Sequence, residues 1–309
     1  MYQIEENPKI SIVILNWNGY EDTSECIKSL MRLTYSIYKI VVVDNGSSND
    51  DYLLLEKNFP EIIVLRSETN LGFTGGNNLG IEYAMKMNPD YILLLNNDTV
   101  VEPNFIKPLL NIFEKKNKTG ISAPQINYYN EPKRIWSKGG IISRIRGSGF
   151  AYSDQIEDRI LIKNREVAFV SGCCMLIKSE VIKIVGLFDD KFFLYVEDVD
   201  LCKRVNAAGF KIYTSNSSKI FHKVSNSTNK NLAYIPLYYM TRNRLYFSKK
   251  NFPRTFFLAL LYLLVSMSLK SIMWLIKGKK ENIIIVKTAI NDFFAGNMGK
   301  KDLSNIFNS

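Results

Sequence analysis

The chain has 309 residues, of which 46% are hydrophobic and 12% are aromatic. This composition can bury a sizeable core and excludes a disordered chain. The formal net charge of +10 is unevenly distributed, because residues 1–202 carry a balance of −5 and residues 203–309 a balance of +15. The basic C-terminal third therefore indicates an anionic partner, either membrane headgroups or nucleic acid.

The cysteines and the first residues indicate a compartment. The four cysteines form no CxxC pair, so we expect reduced, small apolar residues in a cytosolic protein. The opening sequence MYQIEENPK is polar and acidic, and it predicts no signal peptide.

The first hundred residues alternate short β-rich runs with amphipathic helical stretches. The predicted strands are 10–16, 39–45, 62–66 and 91–96, and the predicted helices are 22–33, 47–59 and 76–87. Continuous apolar strands that alternate with helices predict a mainly parallel sheet covered on both faces. Ligands of such sheets bind beyond the carboxyl ends of the strands, where Asp44 and Asp98 fall.

The middle of the chain is less regular. We expect a helix over 103–116 with Pro103 in its first turn, and then a short strand over 120–124. Residues 125–168 lose periodicity, which is typical of a functional or mobile segment. Regularity returns at 168–178, and a later helix is expected to end at Gly209, a suitable C′ residue.

Residues 255–276 form an apolar segment of 22 residues with one charge, Lys270. This length could span a bilayer, and basic residues flank both ends. The symmetric flanks give no orientation by the positive-inside rule. Two arrangements stay open: a single crossing, or a helix or broken hairpin in the cytoplasmic leaflet with Lys270 reaching the headgroups.

Three polar clusters could carry chemistry. Asp98 follows a buried strand and could hold a hard divalent cation together with Asn96, although an ordinary turn or helix N-cap has the same composition. His222 is the only histidine and could complete a mixed nitrogen and oxygen site. Glu197 and Asp198 crowd a helix start, where they favour the helix dipole and could also supply a general base.

Two further stretches suit a nucleotide, although each has a plain structural interpretation. Asp44 could accept hydrogen bonds from a nucleobase or ribose, or it could satisfy the backbone of the following turn. The stretch NLGFTGGNNLG over 70–80 is a glycine-rich turn that leads into a helix, which favours close approach of phosphate. It matches neither GxGxxG nor a Walker A motif.

In this order, the segments resemble those of glycosyltransferase family 2, inverting transferases of the GT-A fold. The matching stretches cover residues 9 to about 250: SIVILNWNG, VVVDNGSSND, NLGFTGGNNLG, YILLLNNDTVV, VSGCCMLIKSEVIKIVGLFDDKFFLYVEDVDLCKRVNAAGFKIY and YYMTRNRLYF. Within the family, the chain is most similar to bacterial rhamnosyltransferases that build cell-surface polysaccharides. The resemblance implies an α/β GT-A domain over 1–230, with a nucleotide-sugar half over about 1–124 and an acceptor half over about 125–230. A basic helical extension over 231–309 would associate with a membrane.

The resemblance also implies residue roles. Asp44 is expected to contact the nucleobase, and further nucleotide-sugar contacts are expected from Asn16, Asn70, Gly75, Gly76, Asn77 and Asn97. Residues 96–98 stand where the family carries its DXD metal motif, so Asp98 keeps the terminal acid and Asn96 replaces the first. Asp198 matches the catalytic base with Glu197 beside it, and His222 matches a metal-binding histidine of some relatives. Arg242 and Arg244 are weaker candidates for diphosphate or headgroup contacts.

The implied activity is inverting transfer of a sugar from a nucleotide-sugar donor to a hydroxyl of a lipid-linked or polysaccharide acceptor. dTDP-L-rhamnose is the expected donor, Mg²⁺ or Mn²⁺ the expected cofactor, and the cytoplasmic face of the cell membrane the expected location. A UDP-hexose or UDP-N-acetylhexosamine donor is the alternative. A sugar-1-phosphate nucleotidyltransferase would need a glycine-rich phosphate loop after the first strand, where the sequence reads NWNGYED. A non-enzymatic membrane- or nucleic-acid-binding protein would not explain the acidic clusters, and no nucleic-acid partner is expected.

Overall fold

The computed structural model describes residues 7–153, 164–224 and 234–303. The first half contains β1 Ile10–Asn16, α1 Tyr20–Leu30, β2 Tyr38–Asp44, α2 Asp51–Asn58, β3 Ile63–Arg66, α3 Gly72–Met85, β4 Tyr91–Asn96, β5 Thr99–Val101 and α4 Ile106–Lys115. Next come β6 Thr119–Tyr128, β7 Ile135–Ser137, β8 Gly140–Ser143, β9 Ser148–Ala151, β10 Arg165–Val167, β11 Cys174–Lys178, α5 Ser179–Val185, α6 Glu197–Ala207 and β12 Lys211–His222. Three helices follow: α7 Tyr234–Asn251, α8 Phe256–Ile276 and α9 Lys280–Ala295.

The central sheet has the strand order β10-β12-β6-β11-β4-β1-β2-β3. The strands β3, β2, β1 and β4 are parallel, as the alternation of strands and helices predicts. The second half is mixed, because β11 runs antiparallel to both β4 and β6 while β12 runs parallel to β6. The expected α/β fold class is confirmed, with the parallel arrangement confined to the first four strands and the β6–β12 pair.

The hydrophobic core lies on both faces of this sheet. Along β1, the side chain of Val13 packs on one face while those of Ile12 and Ile14 pack on the other, since successive strand residues point to opposite sides. Helices α3 and α6 cover the first face, and α1 and α4 cover the second. The four cysteines are free and buried, as expected.

Three local predictions can be compared with the structure. The helix expected from Pro103 begins at Ile106, so the prediction that Pro103 lies in its first turn is wrong; Pro103 belongs to the preceding turn. The helix expected to end at Gly209 ends at Ala207, and Gly209 has a φ of +86°, which a C′ glycine adopts without steric cost. The aperiodic stretch 125–168 contains β7, the β8–β9 hairpin and β10.

Two parts of the predicted organisation lie outside the described residues. These are residues 154–163 of the acceptor segment and the expected domain boundary at residue 230.

The C-terminal helices pack on one another and on the sheet domain. Helix α8 buries the side chains of Ala259, Leu263 and Met267 against the protein. Leu263 and Met267 belong to a hydrophobic cluster that also contains Leu245 of α7 and Val286 of α9. The segment Pro253–Ile276 is long and apolar enough to cross a membrane, with a mean hydropathy of 2.0 over its most apolar stretch. Only 17% of that stretch is buried, unlike the core helix of a soluble domain.

Gly80 allows α3 to approach the sheet closely. A methyl group at this position would lie 2.4 Å from Val13 Cγ1 and 3.0 Å from Val43 Cγ2. A mid-helix glycine-to-alanine change ordinarily stabilises by about 1 kcal/mol. Here we expect Gly80→Ala to lower the free energy of unfolding by about 1–3 kcal/mol, because the core must shift. Urea denaturation would measure this value, and a stabilised variant would contradict the close packing.

Candidate active site

The parallel strands end at one edge of the sheet and bring their last side chains to the same level. The pairing register places Asn16 of β1 opposite Asp44 of β2, and Leu15 opposite Asn96 of β4. The residues after β4, Asn97 and Asp98, continue along this edge. The edge therefore gathers the polar residues that the sequence placed at strand ends, as expected for a parallel α/β sheet.

Asp44 is buried and belongs to a hydrogen-bonded network. Asn16 Nδ2 donates to Asp44 Oδ1 at 2.9 Å and to Asp51 Oδ2 at 3.0 Å. The Ser47 hydroxyl also donates to Asp44. Asn16 is fully buried, so it holds two carboxylates at fixed positions rather than presenting its own amide to a ligand. Asp51 was not among the predicted residues, although it closes the acidic and polar run after β2.

A chain of hydrogen bonds connects Asn16 with the turn after β4. The Thr23 hydroxyl donates to Asn16 Oδ1 at 2.7 Å, and Asn97 Nδ2 donates to the Thr23 hydroxyl at 2.9 Å. Asn97 is half-buried and lies at the open end of this chain. Trp17, which sequence reasoning missed, is 53% exposed directly after β1 and provides an aromatic surface at the same edge.

The glycine-rich stretch forms the start of α3 and packs beside Asn45. Asn45 Nδ2 donates to Asn70 Oδ1 at 3.3 Å, and Asn70 Oδ1 also accepts from the Gly72 N–H at 2.8 Å. Asn70 and Gly75 are partly exposed. Gly76 faces the sheet, because a methyl group there would lie 2.3 Å from Leu15 Cδ1. Asn77 is buried and donates to the Phe73 carbonyl. Gly76 and Asn77 therefore contact the protein interior and support the turn rather than lining its open side.

Asp98 and His222 meet across the sheet. Strand β5 pairs with the end of β12 so that Thr99 lies opposite His222, and the Lys223 N–H donates to the Asp98 carbonyl at 2.9 Å. His222 Nε2 lies 3.1 Å from Asp98 Oδ1. Burial disfavours the imidazolium, yet the Cys173 and Asp98 side chains outweigh it and raise the pKa of His222 to about 10. The edge of the ring packs against Trp136, with centroids 4.5 Å apart.

These two side chains suit a divalent cation that also binds a diphosphate. A carboxylate and an imidazole in contact supply two ligands, and Mg²⁺ or Mn²⁺ would take its other ligands from phosphate oxygens and water. Among the described residues, no three His, Cys, Asp or Glu side chains form a metal-binding group. The main chain of Asn96 accepts from Thr99 Oγ1 and donates to the Cys173 carbonyl, and its half-buried side chain lies at the same edge.

Glu197 and Asp198 begin α6 and differ in accessibility. Asp198 is partly exposed and accepts two backbone hydrogen bonds, from Gly172 at 3.0 Å and from Val199 at 2.7 Å. Glu197 is buried, and its Oε2 has no hydrogen-bond partner among the described residues. Burial and the neighbouring Asp198 raise the pKa of Glu197 well above its ordinary value. Burial also raises the pKa of Asp198, but its backbone donors oppose this, so Asp198 is the group that ionises first.

The segment before β11 connects the two acidic sites. Gly172 N–H donates to Asp198, while the next residue, Cys173, interacts with His222. The Cys173 carbonyl also accepts from the Asn96 N–H at 2.8 Å. Two adjacent residues therefore link the candidate base to the candidate metal ligands, which the sequence alone could not show.

A strained turn leads into Asp198. Phe193, Tyr195 and Val196 have φ values of +64°, +69° and +74°, a region that costs non-glycine residues about 1–3 kcal/mol each. The buried side chain of Asn243 on α7 donates to the carbonyls of Phe192, Leu194 and Tyr195 at 2.8–2.9 Å. Asn243 was not among the predicted site residues, because in the sequence it is only an asparagine inside a helix.

Arg242, beside it, is fully buried and donates to the carbonyls of Phe192 and Asn297 at 3.3 Å. Its guanidinium also lies 5.2 Å from the Tyr238 ring centroid and 5.0 Å from that of Tyr239. The suggestion that Arg242 contacts a diphosphate is wrong for this structure, because the side chain is enclosed by protein.

An α/β sheet with polar and acidic side chains at its carboxyl edge is typical of a ligand-binding α/β protein. The family profile "Glycosyl transferase family 2" matches residues 11–186, more than half of the chain. The chain belongs to this family, and the resemblance stated from the motifs is confirmed.

Several named relatives are similar at low identity. A Haloferax volcanii protein, low-salt glycan biosynthesis hexosyltransferase Agl10, is 27% identical over 66% of this chain and 63% of its own length. The N-acetylglucosaminyl-diphospho-decaprenol L-rhamnosyltransferase of Mycobacterium tuberculosis is 24% identical over 72% of this chain and 79% of the relative. The rhamnosyltransferase WbbL of Escherichia coli is 26% identical over 65% of this chain and 78% of the relative. The match with the Haloferax protein thus spans less than two thirds of that relative.

Solved structures share the fold. A crystal structure of GalNAc-T7 with UDP, GalNAc and Mn²⁺ matches with a TM-score of 0.58 at 19% identity, over 71% of this chain and 44% of that one. Residues 1–349 of Staphylococcus aureus TarS match with a TM-score of 0.53 at 14% identity, over 77% of this chain and 65% of that one. At these identities, the likeness describes the fold alone.

Asn243 is expected to hold the strained turn in place. In Asn243→Ala, the carbonyls of Phe192, Leu194 and Tyr195 lose the hydrogen bonds from the Asn243 amide, so local opening of residues 192–196 should become about tenfold or more frequent. Hydrogen exchange of peptides that cover this turn would measure the change. Thr241→Val is the matched control, because the buried Thr241 hydroxyl on the same helix donates only to the Leu237 carbonyl. Equal exchange in the two variants would refute the role of Asn243.

Proposed function

We propose that this protein is an inverting glycosyltransferase that transfers a sugar from a nucleotide-sugar donor to a hydroxyl of a lipid-linked or polysaccharide acceptor. The observation that carries this proposal is the junction at Gly172 and Cys173, where one residue binds Asp198 and the next interacts with His222 of the Asp98–His222 pair. A general base next to a diphosphate site is what direct displacement at an anomeric carbon needs.

Asp198 is the proposed base. As an anion held by two backbone N–H groups, it would accept the proton from the acceptor hydroxyl while that oxygen attacks the anomeric carbon. Attack from the face opposite the leaving diphosphate inverts the anomeric configuration. Glu197 would stay protonated, since it is buried beside this anion.

The carboxyl edge is the proposed donor site. Asp44, fixed by Asn16 and Ser47, would contact the nucleobase, and Trp17 offers a ring for stacking. Asn70, Gly75 and Asn97 would approach the ribose, diphosphate or sugar, while Gly76 and Asn77 shape the turn behind them. Asp98 and His222, with Asn96 nearby, would hold a divalent cation; when bound, it would neutralise charge on the departing diphosphate.

The relatives support the choice of donor and acceptor. Two of them are named rhamnosyltransferases, which favours dTDP-L-rhamnose. One name specifies a sugar-diphospho-polyprenol, which favours a lipid-linked acceptor at the cytoplasmic face of a membrane. A UDP-linked hexose or N-acetylhexosamine is the second candidate donor, favoured by the hexosyltransferase relative and by the structure that contains UDP and GalNAc.

A donor screen tests the proposal. The purified protein would be incubated with dTDP-L-rhamnose and with UDP- and GDP-sugars, with Mn²⁺, Mg²⁺ or EDTA, and nucleoside diphosphate release would be followed. We expect turnover of one donor, and donor binding would be measured in parallel by calorimetry. Absence of both binding and turnover with every donor would refute the proposed activity.

Two isosteric variants distinguish the acids at α6. Asp198→Asn should lower turnover by about 10²–10⁴-fold while the donor Kd stays within about threefold, because only proton transfer is lost. Glu197→Gln should keep most of the activity, since glutamine resembles the protonated acid. Wild-type turnover should fall as the pH drops through the raised pKa of Asp198. Equal losses in both variants would contradict a single base.

The proposed metal ligands can be tested without turnover. Mn²⁺ binding in the presence of a nucleoside diphosphate should weaken by about tenfold or more in Asp98→Asn and His222→Ala. Calorimetric titration would measure it. Asp22→Asn is the control, because Asp22 is an acid that pairs with Lys223, next to His222 in sequence. Unchanged titration curves for His222→Ala would remove His222 from the metal site.

A further inference from the structure

The outer face of α8 is predominantly apolar, with the small exposed Ser268 among its large side chains. Its large exposed side chains are Phe257, Leu258, Leu261, Leu264, Val265, Leu269, Ile272, Met273, Leu275 and Ile276. Of these, Leu269 is 65% and Ile276 is 82% exposed. The helix has 21 residues, so at 1.5 Å per residue this surface is roughly 32 Å long. A contiguous apolar patch of this size marks an interaction surface.

The charges of this region surround the apolar face. Lys270 is spaced seven and three residues from Leu263 and Met267, so it lies on the side of the helix that carries these buried residues, and its side chain is exposed there. Exposed basic residues flank the ends of α8, namely Arg254 before it and Lys277, Lys279 and Lys280 after it. An apolar face bordered by cations is complementary to an anionic lipid surface.

The packing of α8 opposes a transmembrane crossing. Phe256 at its start contacts Phe293 near the end of α9, with ring centroids 5.8 Å apart, and Leu263 packs with Val286 of α9. Helix α9 therefore runs back along α8 and carries Glu281, Lys287 and Asp292. A crossing α8 would either take these charges into the bilayer, where they are costly, or lose its contacts with α9.

The middle of α8 is also attached to the sheet domain. The Arg146 guanidinium lies 5.7 Å from the Tyr262 ring centroid, and that of Arg244 lies 6.0 Å from it. Arg244 donates two hydrogen bonds to the Arg146 carbonyl. In a crossing helix, Tyr262 would bring both guanidinium groups toward the hydrocarbon region, where they are costly.

The β8–β9 turn extends the same surface. Ile145 at its tip is 54% exposed, between Arg144 and Arg146. Within the described part of the chain, no carboxylate forms an ion pair with Arg146 or Arg244. These guanidinium groups beside Tyr262 are suited to lipid phosphates at the level of α8.

We propose that α8 lies in the plane of an anionic phospholipid bilayer and does not cross it. The outer face of α8 and Ile145 enter the boundary of the acyl chains, while Arg146, Arg244 and the flanking lysines contact lipid phosphates. This inference deepens the membrane partner of the proposed function and chooses between the two arrangements that the sequence left open. Because α7 connects this surface to the turn before Asp198, the active site has a fixed height above the membrane.

Vesicle flotation tests the docking surface. The full-length protein should bind vesicles of phosphatidylcholine with 30% phosphatidylglycerol, a composition we choose as the probe. Leu261→Asp/Leu269→Asp should reduce partitioning about tenfold or more. Leu53→Asp/Ile184→Asp is the matched control, because both side chains are 57% exposed on α2 and α5. Equal binding of the two double variants would overturn the proposal.

Cysteine labelling separates an in-plane helix from a crossing one. Arg254→Cys and Lys277→Cys place thiols at the two ends of α8, and the native cysteines are buried. In sealed, inside-out membrane vesicles, an impermeant maleimide should label both positions from the outside. Labelling of the two positions from opposite sides would show a crossing and overturn the proposal.

Two further measurements distinguish lipid docking from self-association and from a failure of the proposed transferase activity. If the outer face covers a second copy, Leu261→Asp/Leu269→Asp would convert a dimer to a monomer in light scattering without changing vesicle binding, which contradicts lipid docking. Donor binding, followed without membranes, should be the same in both double variants. If the unchanged protein bound no donor, the proposed transferase activity would be refuted, while the measured binding of the protein to vesicles would still stand.

Discussion

The amide of Asn243 holds the turn on which the candidate base depends. Its two N–H groups serve three carbonyls of residues 192–195, and three residues of this region adopt a left-handed backbone. Such a turn would relax without compensation, because each strained residue costs about 1–3 kcal/mol. The turn also touches the donor side, since the Phe193 carbonyl accepts from the Thr74 N–H of α3. One buried side chain of α7 thereby connects the C-terminal helices, the glycine-rich turn and the start of α6.

The acids at the carboxyl edge are placed by different means, which gives them different properties. Asp44 is buried and accepts hydrogen bonds from the neutral side chains of Asn16 and Ser47, which hold it rigidly. Asp98 is paired with His222 and suits a cation. Asp198 is half-buried and held only by backbone N–H groups, so it keeps access to an acceptor. Burial and the charge of Asp198 raise the pKa of the neighbouring Glu197, which favours its neutral form beside this anion.

Most of the first half of the fold could be predicted from the sequence. The four parallel strands were expected within one or two residues of their observed ends, because their apolar runs are continuous and bounded by turn residues. The second half was less predictable, since its short strands pair with distant partners: β11 lies between β4 and β6, and β5 pairs with the end of β12. Local pattern carries no information about such long-range register.

The residues of the candidate site were also predictable only in part. Asp44 and Asp98 were found from strand ends alone, whereas Asp198 and His222 were raised from their residue types beside plain structural alternatives, and the resemblance then favoured their functional roles. Asn16 was expected to bind the ligand but is buried behind Asp44, and Arg242 is enclosed between helices. The sequence by itself determined the α/β alternation, the acidic strand ends and the basic, apolar C-terminal helix, because these depend on residue type and local spacing. Only the tertiary structure decided that Asp98 meets His222, that the adjacent residues Gly172 and Cys173 contact Asp198 and His222, and that α9 folds back along α8. Those contacts join residues far apart in the chain, and the free energy of packing the whole domain selects them.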